Sequence, residues 1–203
     1  MAGWRIHKGK AVALPIDNID TDQLIPARFM SAPRAQGYGQ YLLYDLRRDV
    51  SGALEPDFPL NRQEGASVLI AGRNFGSGSS REAAVYALVD AGIQAVIAPG
   101  FGDIFANNAV NNGLLPAVLP EKDVDNLSKL MGRVPGMLTI DLEGQTVALG
   151  DMTRQFEIDP SWKMKLLNGW DDIDLTGQHK AAIAAYRNTK IQTAPWAWPE
   201  IAD

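Results

Sequence analysis

No cysteine occurs among the 203 residues of this chain. That absence excludes disulfides, a thiol nucleophile, a zinc–thiolate site and any iron–sulfur cluster held by this polypeptide alone. Histidine is nearly absent too: His7 and His179 are the only two, far apart in sequence. A His-rich metal site or a His-based triad is therefore poorly supplied. No residue is assigned as a metal ligand, and any metal chemistry is expected from elsewhere. No run approaches the ~20 apolar residues that cross a bilayer, and Met1 to Lys10 lacks the apolar core of a secretory signal. No membrane partner and a cytoplasmic location are expected. Basic clusters are missing as well, and the net charge is −5. The densest basic pair, Arg47-Arg48, is flanked by Asp45 and Asp49, which argues against a nucleic-acid partner. With this sign of charge, a small anionic substrate has to be held by a local positive site.

Such a site is legible between two apolar runs. Ser67-Val-Leu-Ile-Ala71 reads as a buried strand, and Ala83 to Ala91 reads as helix. Between them lies Gly72-Arg-Asn-Phe-Gly-Ser-Gly-Ser-Ser-Arg-Glu82. Strand, glycine–serine turn and helix start gather backbone N–H groups, hydroxyls and a guanidinium around one small concave spot. The first N–H groups of a helix lack intrahelical partners and sit at the positive end of its dipole, so they favour anions. Arg81 adds a fork of donors that suits a carboxylate. Serines beside a bound anion open the prospect of chemistry.

The length suits one domain, spanning 1–203, and no 20–50-residue period repeats. Lys10 to Ile16 reads as a short strand, and Asp17-Asn-Ile-Asp-Thr-Asp22 is rich in turn formers. From Ala27 to Pro59 the pattern is weak. It reads as a partly helical excursion whose Tyr38, Tyr41 and Tyr44 either shape a substrate pocket or pack in the core or against a partner. Residues 80–91 fit a helix, with Ala84, Ala87, Leu88 and Ala91 on one face and Gly92 beyond its end. Gln94–Ala98 and Leu115–Leu119 are further buried strands. Asp103 is expected to cap a helix running through Asn112, and Glu121–Met131 reads as another helix. Strands alternating with helices imply parallel pairing. Met137–Leu142, Gly144–Leu149 and Arg154–Ile158 are separated by turn residues and read as a small antiparallel patch. Asp159-Pro160-Ser161 opens a helix through Leu167, and Thr176–Arg187 is expected to be the last. Residues 188–203, rich in proline, are expected to form an extended tail.

These residues carry a resemblance. Asn74-Phe-Gly-Ser-Gly-Ser-Ser-Arg-Glu82 resembles the signature of the aconitase superfamily's swivelling domain. Asp17-Asn-Ile-Asp-Thr-Asp-Gln-Leu-Ile-Pro26 is similar to the N-terminal motif of one branch, the small subunits of 3-isopropylmalate dehydratases. Val96-Ile-Ala-Pro-Gly-Phe-Gly-Asp-Ile-Phe105, Asn111-Asn-Gly-Leu-Leu-Pro116, Leu166-Leu-Asn-Gly-Trp-Asp-Asp-Ile-Asp-Leu-Thr176 and Gln178-His179 continue it in order. The resemblance implies a swivelling β/β/α fold, mostly parallel, with a small antiparallel patch and C-terminal helices. It implies a large-subunit partner that carries a [4Fe–4S] cluster. The implied reaction interconverts 2-isopropylmalate and 3-isopropylmalate by dehydration and rehydration in leucine synthesis. By resemblance Ser79 is the base, acting as an alkoxide, and Ser80 and Arg81 hold a substrate carboxylate. Ser77 and Gly78 line the anion site, and Arg28 is a second clamp or else a surface arginine. Thr21, Asp22, Asn74 and Glu82 stand behind these groups.

Other readings stand beside these. Ser79-Ser-Arg-Glu82 also fits a capping box, in which Ser79 would bond a helix N–H instead. Asp17, Asp20 and Asp22 are expected in turn and cap hydrogen bonds rather than around a cation. Asn111-Asn112-Gly113 reads as a helix end, and His179 as a structural residue near Ile183. The chain departs from the family pattern at Ala83, where histidine is usual, and at Ser77, where cysteine is usual. Val85-Tyr86 stands where proline and tryptophan are common. The departure at Ala83 keeps open a related substrate, such as homoaconitate or a methyl-substituted malate, and a diverged subunit without turnover.

Overall fold

In the computed structural model, which describes residues 2–131 and 136–198, the apolar runs become the middle of one seven-stranded sheet. In chain order the elements are β1 (Ile6–Leu14), α1 (Thr21–Leu24), α2 (Pro59–Arg62), β2 (Ala66–Ala71), α3 (Glu82–Asp90), β3 (Ala95–Ala98), α4 (Asp103–Asn111), β4 (Leu115–Val118) and α5 (Glu121–Met131). They continue with β5 (Gly136–Asp141), β6 (Thr146–Leu149), β7 (Met152–Gln155), α6 (Pro160–Asn168), α7 (Asp172–Gly177) and α8 (Lys180–Thr193). The strand order is β4-β3-β2-β1-β5-β6-β7. Strands β1 to β4 pair in parallel. The expected antiparallel patch, β5 to β7, is continuous with them, because β5 pairs antiparallel with β1. β1 is the seam between the two regimes.

Side chains of the parallel strands are buried on both faces, which is why these strands read as unbroken apolar runs. Val12, Leu14, Leu69, Ala71, Val96 and Ala98 pack on one face with Leu24, Leu43, Phe75, Ala84 and Leu88. Ala11, Val68, Ile70, Ala95 and Ile97 pack on the other with Leu127, Leu138, Ile140, Phe156 and Leu166. Each large aliphatic side chain buried this way contributes about 1.5–3 kcal/mol. α5 covers the second face through Val124, Leu127 and Met131, one side of its cylinder. No helix among the described residues is long and apolar enough to cross a membrane.

The 27–59 excursion contains three single 3₁₀ turns, Ala27–Phe29, Arg34–Gln36 and Gly39–Tyr41. Asp90 of α3 anchors it, taking the Arg34 guanidinium at 2.6 Å and the Tyr38 backbone N–H at 2.6 Å. Tyr38, Leu42 and Leu43 are buried in the first core, and Phe29 stacks on Tyr41 with ring centroids 4.4 Å apart. Core packing is thus the role of Tyr38 and Tyr41.

Three local expectations need correction. The helix after the glycine–serine loop starts at Glu82, not at residue 80, and its N-cap is Arg81. Gly102, not Asp103, occupies the N-cap of α4, and Asp103 is its first helical residue. The last helix is α8, Lys180–Thr193, and not Thr176–Arg187: Asp171 forms a capping box with Asp174 that starts a separate short helix, α7. Residues 188–193 therefore belong to α8 rather than to an extended tail. The helix stops ahead of Pro195, since proline disfavours the helical conformation in the residue before it. Pro195–Ala197 forms one 3₁₀ turn, and residues 199–203 lie outside the described residues. α8 buries none of its residues, so His179 and Ile183 are exposed and support no core.

One polar cluster ties the C-terminal helices to the sheet layer. Lys165 of α6 is 2% exposed. Its ammonium donates to Asn111 Oδ1 at 3.0 Å and pairs with Asp172, and the Asn111 amide donates to Asp172 at 2.9 Å. Asn111 is thereby the end of α4, as expected, and a fastening point for α6 and α7.

Candidate functional site

Three loops leave the C-terminal ends of β1, β2 and β3 and run side by side, the place where open parallel sheets hold ligands. The loop after β1 is stitched to the loop after β2. Asn18 donates its backbone N–H to the Arg73 carbonyl at 2.9 Å, Gly76 N–H to the Ile19 carbonyl at 2.7 Å, and Thr21 N–H to the Ser77 carbonyl at 3.0 Å. Side chains continue the seam. Asp17 pairs with Arg73 at 2.9 Å, Asn74 donates to Asn18 Oδ1 at 2.9 Å, and Arg81 pairs with Asp22. Asp20 caps α1 in a capping box with Gln23. The three aspartates thus serve turns, caps and ion pairs. The loop after β3 closes the other side: Phe75 N–H donates to the Gly100 carbonyl at 3.1 Å and Gly102 N–H to the Phe75 carbonyl at 2.9 Å.

Together the loops enclose a half-open cavity of about 190 Å³, lined by Thr21, Gly76, Ser77, Gly78, Ser79 and Arg81 on one side and by Gly102, Asp103, Ile104 and Phe105 on the other. Drug-sized ligand pockets run to about 300–1,000 Å³, so this cavity suits only a small ligand. Glycine is required where the two sides meet. Gly76 has φ +72°, and a Cβ there would come within 2.2 Å of the Phe105 ring. Gly78 has φ +90°, which turns the chain so that Ser77 and Ser79 both reach the cavity.

Two nine-residue helices start at its edge, and no side chain caps either one: α3 at Arg81 and α4 at Gly102. Their unpaired N–H ends favour an anion. Arg81, with a side chain 21% exposed, keeps guanidinium N–H groups beyond the one it gives Asp22. Asp103 on the opposite wall adds a carboxylate facing these donors. The capping-box reading of Ser79 is corrected. The helix begins at Glu82, whose carboxylate instead accepts from the Asn112 amide at 3.0 Å. The Ser79 carbonyl accepts from Thr21 Oγ1 at 2.9 Å, while its hydroxyl has no intramolecular hydrogen bond among the described residues. The backbone is held and the hydroxyl is free.

The structure brings Ser77, Gly78, Ser79, Arg81 and Thr21 onto one wall, with Asp22 behind Arg81. Ser80 is exposed beside them and does not line the cavity. Asn74 and Glu82 are spent on seams with Asn18 and Asn112. Arg28 is not on the wall, and no other residue of the 27–59 excursion lines it. The Arg28 guanidinium pairs with Asp45 and lies 4.6 Å from the Phe29 ring centroid. The pair holds the Asp45 carboxyl below its ordinary range, as the hydrogen bond to Arg28 favours the charged form. The surface reading of Arg28 is the one its contacts match. The opposite wall, Gly102 to Phe105, received no site role from the sequence. Its signal was present in Pro99-Gly-Phe-Gly-Asp103, a second glycine turn after a buried strand. Among the described residues no group of three or more His, Asp or Glu side chains is placed to hold a metal ion.

Comparisons with known proteins converge. The aconitase C-terminal domain family matches residues 1–122. The 3-isopropylmalate dehydratase small subunit of Chloroflexus aggregans is 52% identical over 182 residues, covering 88% of this chain and 89% of that one. The protein of the same name from Anoxybacillus flavithermus is 48% identical over 193 residues, covering 94% and 100%. The crystal structure of 3-isopropylmalate dehydratase from Methanocaldococcus jannaschii matches with a TM-score of 0.64 at 28% identity, over 89% of this chain and 99% of that one.

Proposed function

This chain belongs to the family of 3-isopropylmalate dehydratase small subunits, within the aconitase superfamily, and from that membership we propose that its glycine–serine cavity is the acid–base half of a hydro-lyase site. The substrate is 2-isopropylmalate, converted through 2-isopropylmaleate to 3-isopropylmalate, and the site is complete only with a large subunit. The observation that carries the reading is the Ser79 hydroxyl, free and exposed at a cavity between two uncapped helix starts, on a backbone fixed by Thr21.

Removing water from a hydroxy-diacid needs a base for the proton on the adjacent carbon and an acid for the departing hydroxyl. Ser79 is the base: its alkoxide takes the proton and later returns it to the neighbouring carbon, so that the added hydroxyl ends on the other one. A serine hydroxyl is a very weak acid, and its alkoxide needs strong local support. The α3 and α4 N-termini and Arg81 supply that support in a site closed against water by the partner. Arg81 holds a substrate carboxylate, and the Ser77 hydroxyl adds a donor on the same wall. The acid for the departing hydroxyl is not built here. A [4Fe–4S] cluster does not fit this chain, which has no thiolate to offer. That Lewis-acid chemistry comes with the large subunit.

The test is Ser79→Ala in the complex with the large subunit. Turnover of 2-isopropylmalate falls by about 10³-fold or more, the scale of a lost positioned base, with the melting temperature unchanged. Unaltered turnover would remove Ser79 from the role. Parallel assays with homoaconitate and a methyl-substituted malate decide how Ala83, half-buried against the first core, bears on the choice of acid.

A further inference from the structure

We infer that a second anion site lies at the opposite end of the parallel strands, a cavity that takes a small aliphatic monocarboxylate through Arg47 and Arg48. It shares no residue with the Ser79 cavity and does not depend on the function proposed for it. The space measures about 460 Å³ and opens where β2 and β3 begin, with Ala66 and Ile93 in its wall. The six residues of β2, at about 3.3 Å each, set the two cavities roughly 20 Å apart.

Charge is what marks it. Arg47 and Arg48 both line the cavity. Arg47 Nε donates to Asn61 Oδ1 at 2.8 Å and Nη1 to the Leu42 carbonyl at 3.5 Å, both neutral partners. The Arg48 guanidinium lies 3.9 Å from the Tyr44 ring centroid, and its Nη1 is buried with no hydrogen-bond partner. Asp45 and Asp49 are committed elsewhere, and Glu64, which lines the same cavity, forms no ion pair with either guanidinium. Asp45 pairs with Arg28. Asp49 accepts from the Ser51 N–H and hydroxyl and from the Ala53 N–H, at 2.8, 2.6 and 3.0 Å. Among the described residues no carboxylate stands within ion-pair distance of Arg47 or Arg48. Two half-buried like charges side by side without a counter-ion are costly, and a bound anion relieves both at once. Burial, then the charge of Arg48, pull the Arg47 pKa down.

The rest of the wall narrows the ligand. Leu42, Leu60 and Ile93 form an apolar floor suited to a short aliphatic body, while the paired forks suit a carboxylate. Glu64 also lines the cavity, and its charge opposes a second carboxylate. The class is therefore a monocarboxylate rather than the diacid of the other cavity.

The test titrates the full-length chain with 4-methylpentanoate and with its uncharged amide, by calorimetry and thermal shift. The acid is expected to bind with a Kd in the millimolar range or tighter and to raise the melting temperature with dose. The amide and inorganic sulfate bind at least about tenfold more weakly, one lacking the charge and the other the aliphatic body. Arg48→Gln weakens the acid by about tenfold or more, Arg48→Lys by less, and Glu64→Gln tightens it. All three variants keep wild-type turnover with the large subunit. No binding up to about 20 mM, equal binding of acid and amide, equal binding of sulfate, or undiminished binding by Arg48→Gln would each overturn the assignment. None of these outcomes touches Ser79, whose test is turnover.

Discussion

Thr21 and Ser79 are 58 positions apart and joined by a 2.9 Å hydrogen bond, from the buried threonine hydroxyl to the serine carbonyl. This bond fixes the backbone of the residue whose hydroxyl is free. Thr21→Val keeps the shape and deletes the donor. A net hydrogen bond of this kind is worth about 1 kcal/mol, so the melting temperature falls slightly. Turnover with the large subunit falls about tenfold, because a misplaced base loses rate steeply. Thr21→Ser restores most of both. Loss of stability without loss of kcat would leave Thr21 a purely structural residue.

Arg81 is held by Asp22 across the same seam. The pair is partly exposed and contributes little to stability, but it aims the fork. Arg81→Lys keeps the charge and loses the planar geometry, and kcat/KM for 2-isopropylmalate is expected to fall by about 10–100-fold. Asp22→Asn has a smaller effect in the same direction, chiefly on KM. Steady-state kinetics of the complex separate the two.

Lys165 and Asp172 form an asymmetric pair, with side chains 3% and 60% exposed. Asp172→Ala strands a buried ammonium with Asn111 alone and costs about 2–3 kcal/mol. Lys165→Met leaves an aspartate that water can reach, and costs less. Urea denaturation of both variants checks the order. Lys165, then Asn111, hold the Asp172 carboxyl below its ordinary pKa. Its contribution is thus present above about pH 3.9, the unfolded value, and is lost as pH falls through the lower folded one.

His7 sets a second pH dependence with the opposite chemistry and the same direction. Burial lowers its pKa from 6.5, and Nε2 lies 2.9 Å from Ser67 Oγ. Folding favours the neutral ring, so its contribution is complete above pH 6.5 and is lost as pH falls through the depressed folded value. His7→Gln flattens the stability profile between about pH 7 and 5, where histidine titrates. An unchanged profile would place the titration elsewhere.

The apolar stretches of β2, β3 and β4 were legible in sequence because burial on both faces leaves no room for polar residues. Ser77, Gly78, Ser79 and Arg81 were legible because glycines and hydroxyls between a strand and a helix have few other uses. The second wall, Gly102 to Phe105, was not, since a glycine turn after a strand is ordinary until another loop closes against it. The capping pattern at Ser79 stood as an alternative for a local reason: the same four residues fit a helix start, whereas in the fold Arg81 is extended and the Ser79 carbonyl is bonded to Thr21. α8 was displaced along the chain because exposed residues carry no burial period to mark its ends.

Composition alone settled that this chain offers no thiolate ligand, for a thiolate is a property of residue type and needs no coordinates. Alternating apolar and glycine-rich segments likewise settled the α/β class, because burial and backbone freedom act over a few residues. Which side chains share a cavity was decided only by the tertiary structure. Thr21, Ser79 and Asp103 meet through strand order, and Arg28 turns to Asp45 through the path of a loop. Such contacts join residues tens of positions apart, where local sequence exerts no force on the outcome.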